Sequence, residues 1–284
     1  PFYLELISSA MLGSQGTNLS LADILEEQLF MPSGILHQKF SNYLKRFLDN
    51  PNSQEYISIL CMIANGHNKL KEIAHLLHKN KKELSLRINH LLECDTITRS
   101  GEFLVINDRV LGFWLKFVHQ EKISSLTFDA KNQKAIFRDK IEGMIEEFFS
   151  SSRQPISERM MEVLRLFDDD MVQIEKKRLR LLHFREIKPL EFRHRDLKDG
   201  LIGRSRDGLW LIALKYDMLN ENDVSEFSRE CKKYRNKTQR KIIVALHDIE
   251  ANARLKAMEE KIWTWDLNNL NLIFDIFSKP RIIL

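Results

Sequence analysis

Apolar residues recur at helical spacing over the first 50 residues. Three amphipathic segments, residues 2–12, 20–30 and 33–48, predict three helices. Ser20, followed three residues later by Asp23, is a signal for a helix N-terminus. Turn-forming residues then fill positions 49–53, where Pro51 disfavours helix in the residue before it. The pattern predicts a small helical domain over residues 1–50.

The next segment changes from helical to strand-like periodicity within about 55 residues. Helical repeats cover residues 54–66, 70–77 and 84–92, and two β-segments follow at residues 96–100 and 103–106. The glycine at position 101 favours a hairpin turn between the two segments. Three helices and a hairpin in this order predict a winged helix, a variant of the helix-turn-helix unit, over residues 51–120.

The remaining residues alternate between helical and strand patterns. Helices are predicted over residues 133–149, 157–182, 221–235, 251–260 and 267–278. Strands are predicted over residues 186–192, 200–204, 209–216, 241–246 and 262–265. Residues 121–284 are therefore predicted to form an α/β domain, in which helices flank a mixed sheet. The whole chain is expected to combine all-α and winged-helix parts with this α/β domain.

Composition narrows the class of protein. The chain is 43% hydrophobic and 30% charged, with 10 Gly and 6 Pro, which is typical of a folded, helix-rich protein. Its three cysteines are widely spaced and argue against a disulfide framework or a zinc site. No apolar run reaches the roughly 20 residues that span a bilayer, and no signal peptide is evident. We therefore expect a cytoplasmic protein without a membrane partner or a bound metal.

Basic residues concentrate around the third helix of the predicted winged helix. The net charge is only +4, but residues 66–100 hold seven Lys and Arg against four Asp and Glu. Lysine and arginine neutralise DNA phosphates, so DNA is a candidate partner. The candidate contacts are Lys79, Lys81, Lys82, Arg87 and, on the hairpin, Arg99. The alternative is a solvated basic face or a protein-docking element.

Two further segments of the chain are basic. Residues 175–180 read as the solvated face of a helix. Arg193, His194, Arg195 and Lys198 lie close to Asp199 in the sequence and could make a cleft there positive.

Several local patterns, in order, resemble the region downstream of the nucleotide-binding core in archaeal-type AAA+/STAND ATPases. Residues 1–4 are similar to the second half of the Gly-Gly-x-Pro-x-Tyr-Leu segment that enters the ATPase lid. The winged helix of these proteins commonly opens with a Tyr and an Ile-Leu pair. Here the matching residues are Tyr56, Ile59 and Leu60, followed by residues 63–66 and 71–74, and then by Asp108, Leu111, Phe113, Trp114 and Phe117.

This resemblance implies a lid fragment over residues 1–50 followed by a winged helix, with the rest of the ATPase as a partner. The chain begins at Pro1 without a methionine, on an amphipathic run, so we expect a C-terminal fragment of a longer polypeptide. No G-x-x-x-x-G-K-[ST] motif occurs in it. The chain itself is thus expected to hold no cofactor, because ATP and Mg²⁺ would belong to the ATPase core.

Residues 121–284 resemble the PD-(D/E)xK nuclease-like domain that many of these ATPases carry. In that fold an Asp ends the second strand, a Glu-x-Lys or Gln-x-Lys lies on the third, and a Glu often comes from the first helix. Asp199 and Lys215 match the Asp and the Lys, and Glu142 or Glu146 could be the helical Glu. Position 213 is an alanine, which has no oxygen for Mg²⁺. The resemblance implies a restriction-endonuclease-like domain with a vestigial catalytic motif.

These patterns predict a C-terminal regulatory region of an AAA+ ATPase. It would bind DNA or a partner through the winged helix and carry a catalytically inactive nuclease-like domain, so the chain alone is not expected to be an enzyme. Two alternatives remain at this point. One is an active Mg²⁺-dependent DNA nuclease, and the other is a protein-interaction or sensor scaffold that binds no nucleic acid.

Overall fold

The computed structural model describes residues 2–13, 19–48, 53–120, 130–192, 197, 199–234 and 237–284. Their contacts form two compact units. Unit 1 comprises Pro1–Arg99 and Phe103–Phe149, and unit 2 comprises Ser100–Glu102 and Ser150–Leu284. This grouping differs from the three segments expected from the sequence, whose boundaries fell near residues 50 and 120.

The first part of the chain is mainly helical. Its elements are α1 (Phe2–Gly13), α2 (Leu21–Leu25) with a π-helical turn (Glu26–Phe30), α3 (Ile35–Leu48), α4 (Ser53–Ala64), α5 (Leu70–Leu76), α6 (Lys81–Glu93), β1 (Ile97–Ser100), β2 (Phe103–Ile106), α7 (Arg109–Trp114) with a second π-helical turn (Leu115–His119), and α8 (Ala130–Arg153). The order of helix, helix, helix and hairpin predicted over residues 54–106 is observed. Polar side chains begin these helices: Ser20 accepts a hydrogen bond from the Asp23 amide, and Asn80 accepts one from the Glu83 amide.

A single apolar core holds unit 1 together. The rings of Phe47 in α3 and Tyr56 in α4 lie 5.8 Å apart, on either side of the predicted boundary at residue 50. Phe137 of α8 packs 5.2 Å from Phe30, so residues beyond the predicted boundary at 120 also join this core. The separate helical domain expected over residues 1–50 therefore does not have a core of its own.

Unit 2 is built on a five-stranded mixed sheet. Its elements are α9 (Ile156–Leu164), β3 (Asp170–Ile174), β4 (Lys177–Leu181), β5 (Glu186–Glu191), β6 (Asp199–Arg204), β7 (Leu209–Lys215), α10 (Glu221–Cys231) with a 3₁₀ turn (Lys232–Tyr234), β8 (Thr238–Ala245), α11 (Ala251–Glu259), β9 (Trp263–Trp265) and α12 (Leu267–Ile276). The strand order in the sheet is β5-β6-β7-β8-β9. The first three strands are antiparallel, and β8 and β9 continue parallel to β7. The expected α/β domain with a mixed sheet is thus present.

Strand β7 is buried along its whole length, as expected for a strand covered on both faces. Leu211 and Ala213 pack with Val224 and Phe227 of α10, and Ala253 of α11 joins the same cluster. On the alternate positions of the strand, Trp210 lies 5.3 Å from the ring of Phe184. The sheet therefore separates two apolar layers.

The helix predicted over residues 157–182 is wrong in its second half. Helix α9 ends at Leu164, and β3 and β4 then form an antiparallel hairpin. Val172, Ile174, Leu179 and Leu181 are buried in alternation with polar residues, which is strand periodicity. The turn uses Glu175 at φ 53°, so no glycine or proline marks it. The basic run over residues 175–180 consequently belongs to a turn and a strand.

Candidate functional site

Helix α6, the third helix of the segment predicted to be a winged helix, has one buried and one exposed side. Leu84, Ile88 and Leu91 are buried in the core of unit 1. On the opposite side Leu86 is 64% exposed. The predicted basic residues of this helix are therefore distributed around an apolar side chain rather than on a purely charged face.

A glutamate of α4 engages two of the predicted DNA contacts. Glu55 Oε1 lies 3.1 Å from Lys79 Nζ, and Glu55 Oε2 lies 3.2 Å from Arg87 Nε. The hydrogen bond from Lys79 lowers the pKa of the Glu55 carboxyl, and Arg87 lowers it further. Glu55 therefore stays ionised at neutral pH and offsets part of the positive charge that the sequence suggested.

Lys81 and Lys82 occupy the first turn of α6, after the cap Asn80, and both are exposed. No carboxylate of a described residue forms an ion pair with either of them. Arg99 is exposed on β1. Of the five predicted DNA contacts, the structure thus brings Lys79 and Arg87 together on Glu55, and leaves Lys81 and Lys82 directed to solvent.

The predicted nuclease motif has a different geometry from the one expected. Asp199 is the first residue of β6, where the resemblance led us to expect the end of a strand. It lies opposite Leu214, and Gly200 lies opposite Ala213. Directly opposed residues share a face and successive residues alternate, so Asp199 and Lys215 point to opposite faces of the sheet. The strands do not bring these two side chains together.

Each of the two residues has another partner. The Tyr216 hydroxyl donates a hydrogen bond of 2.7 Å to Asp199 Oδ2. Burial raises the pKa of the Tyr216 hydroxyl, and the bond to Asp199 raises it further. Tyr216 follows β7 immediately and returns to the face of Leu214. The Asp199 carboxylate is therefore hydrogen-bonded to the Tyr216 phenol, on the face of the sheet opposite to Lys215.

Lys215 forms a buried ion pair with α10. Its Nζ donates to Asp223 Oδ1 at 3.1 Å, and the two side chains are 6% and 1% exposed. Asp223 Oδ2 also accepts the amide of Asn220, and Asn220 Oδ1 accepts the amide of Asp223, which completes a capping box at the start of α10. Lys215 is consequently held by a structural carboxylate and is closed to solvent.

Position 213 of β7 lies on the same face as Lys215, and it is occupied by a buried alanine. Ala213 is fully buried, and Gly200 lies opposite it. A methyl group at Gly200 would collide with the ring of Phe192. Adding acidic side chains at these positions would thus require repacking of the sheet.

The helical glutamates lie in the other compact unit. Glu142 and Glu146 are in the part of α8 that belongs to unit 1, whereas Asp199 and Lys215 belong to unit 2. Glu142 pairs with Arg138 on its own helix at 3.0 Å. Among the described residues, no group of three or more His, Cys, Asp or Glu side chains is arranged to hold a metal ion. Arg193, His194, Arg195 and Lys198 lie outside the described residues.

Sequence reasoning missed the residues that pair with the predicted site residues. Glu55, Tyr216 and Asp223 decide which predicted residues remain accessible. Only Asp223 had a readable signal, because Asn220 three residues before it has the pattern of a capping box.

A cleft of about 300 Å³ was also missed at the carboxyl ends of β8 and β9, where α/β sheets commonly bind ligands. It is lined by His247, Asp248, Arg254, Asp266 and Asn268 among others.

Comparison with known proteins gives few matches. No protein-family model matches the chain, and no curated protein matches it. A solved structure, that of protein VC1899 from Vibrio cholerae, aligns with 90% of this chain at 9% sequence identity and a TM-score of 0.28. The alignment spans 55% of that protein, and a likeness at this level carries no inference about fold or function. No described helix is long and apolar enough to cross a bilayer.

Proposed function

We propose that this chain is a DNA-binding regulatory region of an AAA+ ATPase, and that its nuclease-like domain does not cut DNA. DNA binding is assigned to α6, the third helix of the proposed winged helix. The observation that carries this assignment is the pair of exposed lysines, Lys81 and Lys82, in the first turn of that helix. A helix N-terminus with two cations beside it favours a phosphate group.

The link to an AAA+ ATPase is supported by contacts among the residues that carry the resemblance. Tyr3, from the segment similar to the lid entry, donates a hydrogen bond to Asp108. Asp108 in turn accepts the amides of Val110 and Leu111 at the start of α7. Two patterns that are 105 residues apart in sequence thus meet in one core.

Binding through so few cations should be weak and sensitive to salt. Each phosphate neutralised on duplex DNA contributes a slope of about −0.9 in log K against log salt. The contacts assigned here come from lysines to phosphates, so backbone contacts should dominate the affinity.

We expect the double variant Lys81→Ala/Lys82→Ala to lower affinity for a labelled duplex by roughly tenfold at low salt, and to make the slope about 1 to 2 less negative. Fluorescence anisotropy at several salt concentrations measures both quantities. The matched control is Lys45→Ala/Arg46→Ala, which removes the same charge from exposed positions in the last turn of α3. An equal loss in both variants would mean that net charge alone attracts the DNA.

A second function, protein docking, is favoured by the 64% exposure of Leu86 in the middle of the solvent side of α6. Undiminished DNA affinity in the Lys81→Ala/Lys82→Ala variant would reject DNA contact through these two lysines and favour docking. The absence of cutting is supported by the opposite orientations of Asp199 and Lys215 and by the alanine at position 213.

A further inference from the structure

Glu55 holds Lys79 and Arg87 as a phosphate group would. Each of its two carboxylate oxygens contacts one cation, Lys79 Nζ at 3.1 Å and Arg87 Nε at 3.2 Å. A phosphodiester has two non-bridging oxygens that accept such charge-assisted hydrogen bonds in the same way. Lys79 lies directly before the cap Asn80, close to Lys81 and Lys82 along the chain, and Arg87 lies in the second turn of α6.

The arrangement is open to exchange. The side chains of Glu55 and Lys79 are 33% and 42% exposed, and individual exposed ion pairs are weak. Arg87 is 25% exposed, and its guanidinium lies 6.0 Å from the centre of the Tyr56 ring. This ring contact would keep the guanidinium near its place if the carboxylate moved away.

We propose that Lys79 and Arg87 form a phosphate subsite that Glu55 closes from within the same unit. Binding of a DNA phosphate there displaces the Glu55 carboxylate, so the glutamate limits both affinity and the number of phosphates contacted. The inference rests on the proposed DNA binding by α6, and adds to it a subsite and the residue that regulates it. Lys81 and Lys82 then form the part of the surface that is open at all times.

The variant Glu55→Gln tests this subsite with little change in shape. We expect a rise in duplex affinity of about fivefold at low salt and a slope steeper by about 1 to 2, because two further cations become available. The matched control is Glu83→Gln, which removes an exposed carboxylate from α6 itself. If both variants gain equally, only net charge matters and the subsite is rejected. In Glu55→Gln/Lys79→Ala/Arg87→Ala the gain should disappear.

A second measurement does not depend on DNA binding. Inorganic phosphate is titrated into Glu55→Gln and into the unmodified chain, and the ¹⁵Nε resonance of Arg87 is followed by NMR. The resonance should shift in the variant at phosphate concentrations that leave the unmodified chain unchanged. No shift in the folded variant overturns the inference, even when DNA binds elsewhere. A shift together with unaltered binding in Lys81→Ala/Lys82→Ala supports the subsite and rejects the proposed role of those two lysines.

Discussion

Two lysines, one in each unit, make ion pairs of the same length with opposite consequences. Lys79 in unit 1 and Lys215 in unit 2 both lie 3.1 Å from a carboxylate oxygen. The side chains of the first pair are 42% and 33% exposed, and those of the second are 6% and 1% exposed. Water competes for the first pair and is excluded from the second. Burial of the side chain therefore decides which of the two lysines can still bind a ligand.

The comparison separates two kinds of residue that look alike in sequence. An exposed pair is weak and can exchange one anion for another. Removing one partner of a buried ion pair costs more folding stability, because the other charge remains in a medium of low polarity. On this basis Lys79 is a candidate for binding, and Lys215 is a part of the architecture.

The largest expected effect follows from breaking the buried pair. Asp223→Asn should lower the free energy of unfolding of unit 2 by about 3 to 5 kcal/mol, since Lys215 would remain buried without a counter-charge. Urea unfolding followed by tryptophan fluorescence reports on both units, because unit 2 holds Trp210, Trp263 and Trp265 and unit 1 holds Trp114. The same acid-to-amide change in the exposed pair, Glu55→Gln, should cost less than about 1 kcal/mol. Equal losses in the two variants would remove the distinction drawn from burial.

A smaller effect concerns the tyrosine pairs, since each unit contains one. Tyr216 donates to Asp199 in unit 2, and Tyr3 donates to Asp108 in unit 1. Burial and the neighbouring carboxylate raise the pKa of both hydroxyls above the ordinary value near 10. A raised pKa means that the stability from each pair is complete below pH 10 and is lost as pH rises through the folded value.

Tyr216→Phe should therefore destabilise unit 2 by about 1 kcal/mol at pH 7 and should reduce its further loss of stability above pH 10. Tyr3→Phe is the corresponding variant for unit 1. Urea unfolding at pH values from 7 to 11 measures both effects. Stability curves that stay parallel to that of the unmodified chain up to pH 11 would show that these hydroxyls do not titrate as the pairs imply.

The smallest expected effect is in DNA cleavage. The unmodified chain should not cut plasmid or linear DNA in Mg²⁺ or Mn²⁺, and Ala213→Glu should not gain activity, because Asp199 faces away and Lys215 is buried. Gel electrophoresis after incubation with each metal ion is the measurement. Cutting by the unmodified chain that vanishes in Asp199→Ala would make the domain a working nuclease.

Helical periodicity predicted most of unit 1 and the order of elements in unit 2. It failed over residues 165–181, where charged residues between Val172 and Leu181 resemble a helix face. The hairpin turn at Glu175 contains no glycine, proline or asparagine, so the usual signal of a turn was missing. Local spacing alone did not distinguish a period of two from a period of 3.6 there.

The relative placement of the candidate catalytic residues could not be predicted for a different reason. The spacing of Asp199 and Lys215 fits the family pattern, but sequence does not give the register of two strands. A shift of one residue moves a side chain to the other face of a sheet, and Gly200 rather than Asp199 lies opposite Ala213. In unit 1 the basic residues can be read from the sequence, but their partners cannot. Their pairing with Glu55, which is 24 and 32 residues away in sequence, depends on how α4 packs against α6.

The shared core of unit 1 connects α3 to α6 through the ring of Tyr56. Phe47 of α3 touches Tyr56 of α4 at 5.8 Å, and Tyr56 touches His90 of α6 at 5.3 Å. Tyr56 is also the neighbour in sequence of Glu55. A displacement of α3 would thus act through the Tyr56 ring both on α6, the helix proposed to bind DNA, and on Glu55, the glutamate proposed to close the phosphate subsite.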